Sequence, residues 1–422
     1  MKMLFDLDHW QEIKIALLRN RARTALTAFG VFWGIFLLMV MLGSGVGLRN
    51  GVMRGFQGSA TNSFFIWTQR TQKPYAGLPA GRNVRMTNAD VTAIRDKVPE
   101  VEVVAPRAQL GGWQGGNNVT RARKAGAFSV MGDHPSIMRV QAFKIASGRF
   151  LNEIDLEELR KVAVIGTRVQ QLLFEPGEDP IGESILINGV YFQVIGVFRS
   201  MQSGDDADRE AATIYVPFTT FQRAFNWGDR VGWLAVISRP EFPASEAEEK
   251  VLTLLKARHK VAPDDLRAFG HWNMEEEYRK VSGLFTGIGI LVWLVGIGTL
   301  AAGAIGVSNV MLIIVKERTR EIGIRRAVGA TPAAVVVQIV FESVILTALA
   351  GYFGLVAGIA VIELVKNFLP EGDSVRMFTN PDVGVGEALR ALGILIGAGV
   401  LAGLAPAQRA VQVNPIVALR SE

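Results

Sequence analysis

Four long apolar stretches constrain this chain more than any other feature, because each must be buried in lipid or in another apolar surface. They occupy residues 25–48, 281–315, 331–365 and 383–407 of the 422. All reach the roughly 20 residues that a helix needs to cross a bilayer. The first follows Arg19, Arg21 and Arg23, the pattern of a signal peptide. It is too long for an ordinary signal sequence, and no small-x-small cleavage site closes it, so it reads as an uncleaved span. The second, Val281 to Val315, contains no charged residue. At about 1.5 Å per residue it exceeds the hydrocarbon thickness, so its ends project or tilt. The third is broken by Gln338, Glu342 and Glu363, and the fourth carries Glu387 and Arg390 near its outer end.

Charge orients the spans. Segment 1–24 carries five Lys or Arg and the turn 316–330 another five, against two in 366–384. The excess places both termini and the 316–330 turn in the cytoplasm. The expected order is a cytoplasmic amphipathic segment (1–24), span one (25–48), a large external domain (49–280) and span two with its stalk (281–315). A cytoplasmic helix (316–330), span three (331–365), a short external loop (366–382), span four (383–407) and a cytoplasmic tail (408–422) follow. In a cell with two membranes the external domain is periplasmic. Gly43, Gly47, Gly51 and Gly55 recur every four positions, and Gly354 with Gly358, Gly393 with Gly397 and Gly399 with Gly403 repeat the spacing. Such spacing lets helix backbones approach one another.

Composition narrows the function. A mean hydropathy of +0.26 with 49% hydrophobic residues excludes a disordered chain, and the absence of a Gly-X-Y period excludes collagen. The net charge of +6 suggests nucleic acid only until position is considered, for the basic residues fall beside the apolar runs. With no cysteine there is neither a disulfide scaffold nor thiol chemistry. His9, His134, His259 and His271 are too scattered for a dedicated metal centre. Asp205, Asp206 and Asp208, in a segment that reads as an exposed loop, mimic part of a calcium loop. The glycine and terminal glutamate of such a loop are out of register. No G-x-x-x-x-G-K-[ST] and no G-x-S-x-G occurs in the sequence. The chain reads as one that binds or transmits, with no catalytic, cofactor or metal site of its own.

In the external domain, strands are predicted at 63–69, 101–110, 161–165, 184–187, 190–198, 212–216 and 231–237. Helices are predicted at 88–98, with Asn88 as a cap, and near 244–258. GGWQGGN, 111–117, reads as a turn. The alternation gives an α+β domain of two subdomains. HWNMEEEYRKVSGLFTGIGI, 271–290, passes from a polar helix straight into span two, which makes it a candidate stiff lever between domain and bilayer.

The most informative segment is KERTREIGIRRAVGATP, 316–332. It offers Glu317, Arg318, Thr319, Arg320, Glu321, Arg325 and Arg326, with Ile322 and Ile324 between the charges. Gly329 reads as its stop and Pro332 as the start of span three. An interfacial helix whose arginines meet lipid phosphates is the plain reading. The mixed signs suit a protein socket better. Gln338 and Glu342 lie four apart on span three, a candidate intramembrane polar site or simply an interhelical hydrogen bond.

RNRARTALTAFGVFWG at 19–34, KERTREIGIRRAVGA at 316–330 and GLAPAQRAVQVNPIVALRSE at 403–422 resemble the permease subunits of the MacB, LolC/LolE and FtsX group of ABC transporters. The layout is most similar to MacB without its nucleotide-binding domain. The resemblance implies an α-helical membrane protein with four transmembrane helices and a large α+β periplasmic domain between helices 1 and 2. It further implies a membrane-proximal part from about 49–110 and 210–280 and a distal insertion at about 111–209. Its family seats the turn after span two on an ATPase, which assigns Glu317, Arg318, Thr319, Arg320, Glu321, Ile322, Arg325 and Arg326 to that contact. The implied partners are two copies of a separate ATPase holding ATP and magnesium, a second permease copy, and a periplasmic adaptor with a TolC-like outer-membrane channel. Efflux is the expected function. Release of lipoproteins, and mechanical regulation of a cell-wall hydrolase or a peptide sensor, stand as alternatives within the group.

Overall fold

The computed structural model describes residues 21–56, 58–111, 116–141, 143–201, 204–368 and 378–412. The expected amphipathic segment up to residue 20, most of the turn at 111–117, the loop 369–377 and the tail from 413 lie outside the described residues. The chain forms two compact units, one of residues 53–283 and one containing most of the four long helices.

The first unit is built on strands β1 (Ser63–Thr68), β2 (Met86–Thr87), β3 (Val101–Gln109), β4 (Asn117–Arg121), β5 (Lys124–Asp133), β6 (Phe143–Gly148), β7 (Val162–Gly166), β8 (Ser184–Ile187), β9 (Val190–Ser200), β10 (Thr213–Pro217), β11 (Arg230–Val231), β12 (Trp233–Ser238) and β13 (Phe269–Asn273). Eleven of them make one sheet in the order β10-β7-β9-β8-β4-β5-β3-β12-β1-β13, with β6 beside β9. Because β10 also pairs with β5, the strands β5, β4, β8, β9, β7 and β10 run in a closed circuit. Closure removes the exposed edges that an open sheet would present. From this circuit an open arm extends through β3, β12, β1 and β13. Strands alternate where one face meets the core. In β1, Phe64 and Ile66 are fully buried while Trp67 stays partly exposed. In β7 and β10 every position is buried, as expected for strands with parallel neighbours covered on both faces.

Circuit and arm are paired where β3 meets β5, with Ala108 opposite Gly132, Gln109 opposite Met131 and the Leu110 amide donating to the Val130 carbonyl at 3.0 Å. A buried ion pair spans this junction. Arg107 donates from Nε to Asp133 Oδ1 at 2.7 Å and from Nη2 to Oδ2 at 2.9 Å. Its guanidinium also lies over the Trp233 ring, 5.4 Å from the centroid.

Three expectations are corrected here. The segment expected as an acidic loop at 203–210 is a helix from Asp205 to Ala211, since three aspartates in its first turn complement the amino-terminal end of the helix dipole. The helix Asn88–Lys97 is capped by Thr87, whose backbone amide donates to Asp90 in a capping box, so Asn88 is already helical. Residues 271–273 belong to β13, and the lever helix starts at Met274. It then continues unbroken for 44 residues to Glu317, about 66 Å at 1.5 Å per residue.

Four helices are long and apolar enough to span a membrane, Arg21–Met53, Met274–Glu317, Pro332–Phe368 and Val385–Val411, and the second unit holds them except for Met53 and residues 274–283. Span three buries Val335, Ile339, Glu342, Leu346, Ala350, Gly354 and Gly358 among others, a three-and-four spacing that defines one face. The glycines decide how closely neighbours approach. A Cβ at Gly354 would sit 2.4 Å from the Phe32 carbonyl of span one, and one at Gly403 would sit 2.3 Å from Ser343 Oγ. Gly393 and Gly397, which share the spacing, face open space. Ser343 Oγ donates to the Gly399 carbonyl at 2.9 Å, adding a hydrogen bond to the contact of spans three and four.

Candidate coupling site

Span two ends at Glu317, and a second helix, Thr319–Ala327, follows with Arg318 as its cap at φ −96° and ψ 13°. Gly329 takes φ +112°, a conformation that side chains resist, and turns the chain toward Pro332. Thr331 accepts the Ala334 amide through its carbonyl at 3.0 Å, so span three opens with proline at its first position. Stop and start therefore fall where the sequence places them.

The inner face of the short helix is tied to its own chain. Arg318 Nη1 donates to Glu342 Oε1 at 3.2 Å, and its Nε lies 3.4 Å from Glu321 Oε2. Arg325 reaches Glu321 Oε1 at 2.9 Å and donates to Gln338 Oε1 at 3.0 Å. Gln338 in turn donates to Glu342 Oε1 at 3.4 Å. Arg326 donates to the Val411 carbonyl at 2.6 Å, at the carboxyl end of span four where a cation meets the helix dipole favourably. Thr319 Oγ1 bonds back to the Lys316 carbonyl at 2.7 Å, and Ile322 packs on the apolar core of the spans. Of the residues assigned to an ATPase contact, Arg318, Ile322, Arg325 and Arg326 thus turn inward. The two polar groups of span three, which the sequence sets apart as a separate site, join the same network.

The outer face carries Arg320 and Ile324, with Val328 just past the helix end, at steps of four, and Glu317 is exposed at the end of span two. Val328 is 84% exposed and Ile324 43%. Two apolar side chains thus stand exposed among charges. The exposure of Val328 is not read from the sequence. Its signal is the helical step from Ile324, hidden because Val328 sits beside the terminating glycine.

His134, His259 and His271 each face one carboxylate, of Glu153, Asp90 and Glu248 respectively. Among the described residues no group of three or more His, Asp or Glu could hold a metal ion.

Four membrane helices, a large α+β domain between the first and second, and a charged helix between the second and third define a multi-pass inner-membrane permease with a periplasmic domain. Residues 24–254 match the MacB-like periplasmic core domain and residues 293–415 the FtsX-like permease C-terminal domain, and the chain belongs to this MacB/FtsX-like permease family of ABC transporters. The pyoverdine export ATP-binding/permease protein PvdT of Pseudomonas putida is 32% identical over 96% of this chain and 58% of its own length. The macrolide export ATP-binding/permease protein MacB of Bdellovibrio bacteriovorus is 28% identical over 99% of this chain and 62% of its own. The chain thus spans about three fifths of these curated relatives. The crystal structure of the periplasmic region of MacB from Actinobacillus actinomycetemcomitans is similar over 54% of this chain and 95% of that one, at 20% identity and a TM-score of 0.42.

Proposed function

We propose that this chain is the membrane subunit of an ABC efflux complex, driven by a separate ATPase polypeptide that holds ATP and magnesium. In this reading two permease copies dimerise, and closure of two ATPase subunits displaces the helix Thr319–Ala327. The unbroken helix Met274–Glu317 carries that displacement to the periplasmic domain. We assign the arm, β1, β3, β12 and β13, to the membrane-proximal part, and the strand circuit, which takes in β10 just beyond residue 210, to the distal one. Cargo leaves through a periplasmic adaptor and an outer-membrane channel. Two relatives are named for export of a macrolide and of pyoverdine, and siderophores or hydrophobic drugs are the cargo class we assign. The observation that carries the reading is that one face of the short helix is bonded within the chain while Arg320, Ile324 and, just past its end, Val328 are exposed.

The lack of native cysteine makes the test direct. The Val328→Cys variant, treated with a thiol-to-amine crosslinker in native membranes, should be joined to a P-loop protein identified by mass spectrometry. Copurification of the adaptor would extend the assignment to the tripartite machine. If the introduced thiol reacts fully with a small maleimide yet captures no P-loop protein, the ATPase contact is removed from this helix.

A further inference from the structure

We infer that Gln338 and Glu342 are positioning residues that lock the coupling helix to span three, an inference that rests on the coupling reading above. Arg318, Glu342, Gln338, Arg325 and Glu321 form a closed ring in which each side chain bonds the next, at 3.2, 3.4, 3.0, 2.9 and 3.4 Å in that order. Three members come from the cytoplasmic segment and two from span three. The ring surrounds a cavity of about 30 Å³, floored by Val335 and Ile339 and large enough for a water or two.

Two properties of the ring support the assignment. Arg318 is the single residue separating span two from the coupling helix, so it is where a push on the helix would be absorbed by backbone rotation. It is also the residue held to Glu342, whose side chain is only 8% exposed. A buried carboxylate in a membrane helix is costly unless compensated. Here Arg318 and Arg325 balance Glu321 and Glu342, leaving the ring formally neutral. The balance lets the carboxylate remain buried and act as an anchor. With the ring closed, the coupling helix and the near end of span three move together. With it open, the helix stays tethered by Arg326 to the Val411 carbonyl and swings about Arg318.

The test is a spin-label distance measurement on the full chain in nanodiscs, without ATPase, using labels at Ala327 and Tyr352 in copies diluted with unlabelled chain so that distances within one copy are read. The unaltered ring should give one narrow distance. Glu342→Leu should lose it and give a broad distribution, and Glu342→Gln, whose amide oxygen still accepts from Arg318, should restore it. A second pair at Tyr352 and Leu401 reports the packing of spans three and four and should remain narrow throughout. A narrow 327–352 distance in Glu342→Leu overturns the inference. So does equal broadening of both pairs, which would make Glu342 a residue of bundle packing. Because the measurement omits the ATPase, its failure leaves the docking reading standing, and loss of the Val328→Cys crosslink would leave the ring standing.

Discussion

Removing the Arg107 side chain should destabilise the periplasmic unit more than any exposed ion pair in it would. Asp133 is completely buried and Arg107 nearly so, and their bonds of 2.7 and 2.9 Å share the charge between both carboxylate oxygens. Truncation to alanine leaves that carboxylate with no counter-charge, a loss of about 3–5 kcal/mol for a buried pair broken on one side. Loss of the contact with the Trp233 ring adds about 0.5–1 kcal/mol. For a unit of this size each kcal/mol moves Tm by about 2–4 °C, so Arg107→Ala should lower the transition by roughly 7–24 °C. The assay is thermal unfolding of the full chain in detergent, followed by near-ultraviolet circular dichroism, to which Trp233 contributes. Arg107→Met combined with Asp133→Leu removes both charges and should recover most of the loss, because an apolar pair of similar volume replaces them. If Arg107→Ala melts with the parent, or if the double variant is the worse of the two, the pair is not what holds the junction of β3 and β5.

Gly354→Leu places side-chain atoms against the Phe32 carbonyl, where even a Cβ would be at 2.4 Å. Backbone cannot yield as a side chain can, so we expect spans one and three to separate, costing at least the roughly 1–3 kcal/mol of ordinary overpacking; a cysteine pair across this contact should then crosslink more slowly. Asp90 is buried, which alone would raise its carboxyl, but hydrogen bonds from His259, Arg258 and the Thr87 amide outweigh burial and hold it well below the usual range. Since the folded value is the lower one, its stabilisation is complete above the unfolded value, about 3.9, and is lost only as pH falls toward the folded one. Asp90→Asn should therefore cost about 1.5–3 kcal/mol near neutral pH, and the cost should shrink in strong acid as the Asp90 carboxylate of the parent is protonated; denaturant unfolding at several pH values checks this.

Much of this architecture is legible because the membrane makes it so. An apolar run of span length has few other places to go, and Gly329 and Pro332 mark the turn by backbone chemistry alone. Strands such as Ser184–Ile187 follow from their own composition. The hairpin β4–β5 does not. Its two-residue loop puts Ala122 at φ +51°, where Asn or Gly would have signalled the turn, and its strands carry Arg121, Lys124 and Gly126. The acidic helix Asp205–Ala211 is missed for a related reason, since aspartates favour loops in general and first helical turns in particular. At the coupling site the residue types are readable but their directions are not. Which arginines turn inward depends on Gln338 and Glu342 returning antiparallel across the turn, a tertiary fact.

The neutral ring also has an electrical consequence. One elementary charge carried across the full membrane potential exchanges about 2.3 kcal/mol per 100 mV. Two arginines and two glutamates displaced as a unit exchange none. The ring therefore adds no voltage-dependent term of its own to a stroke passed through it.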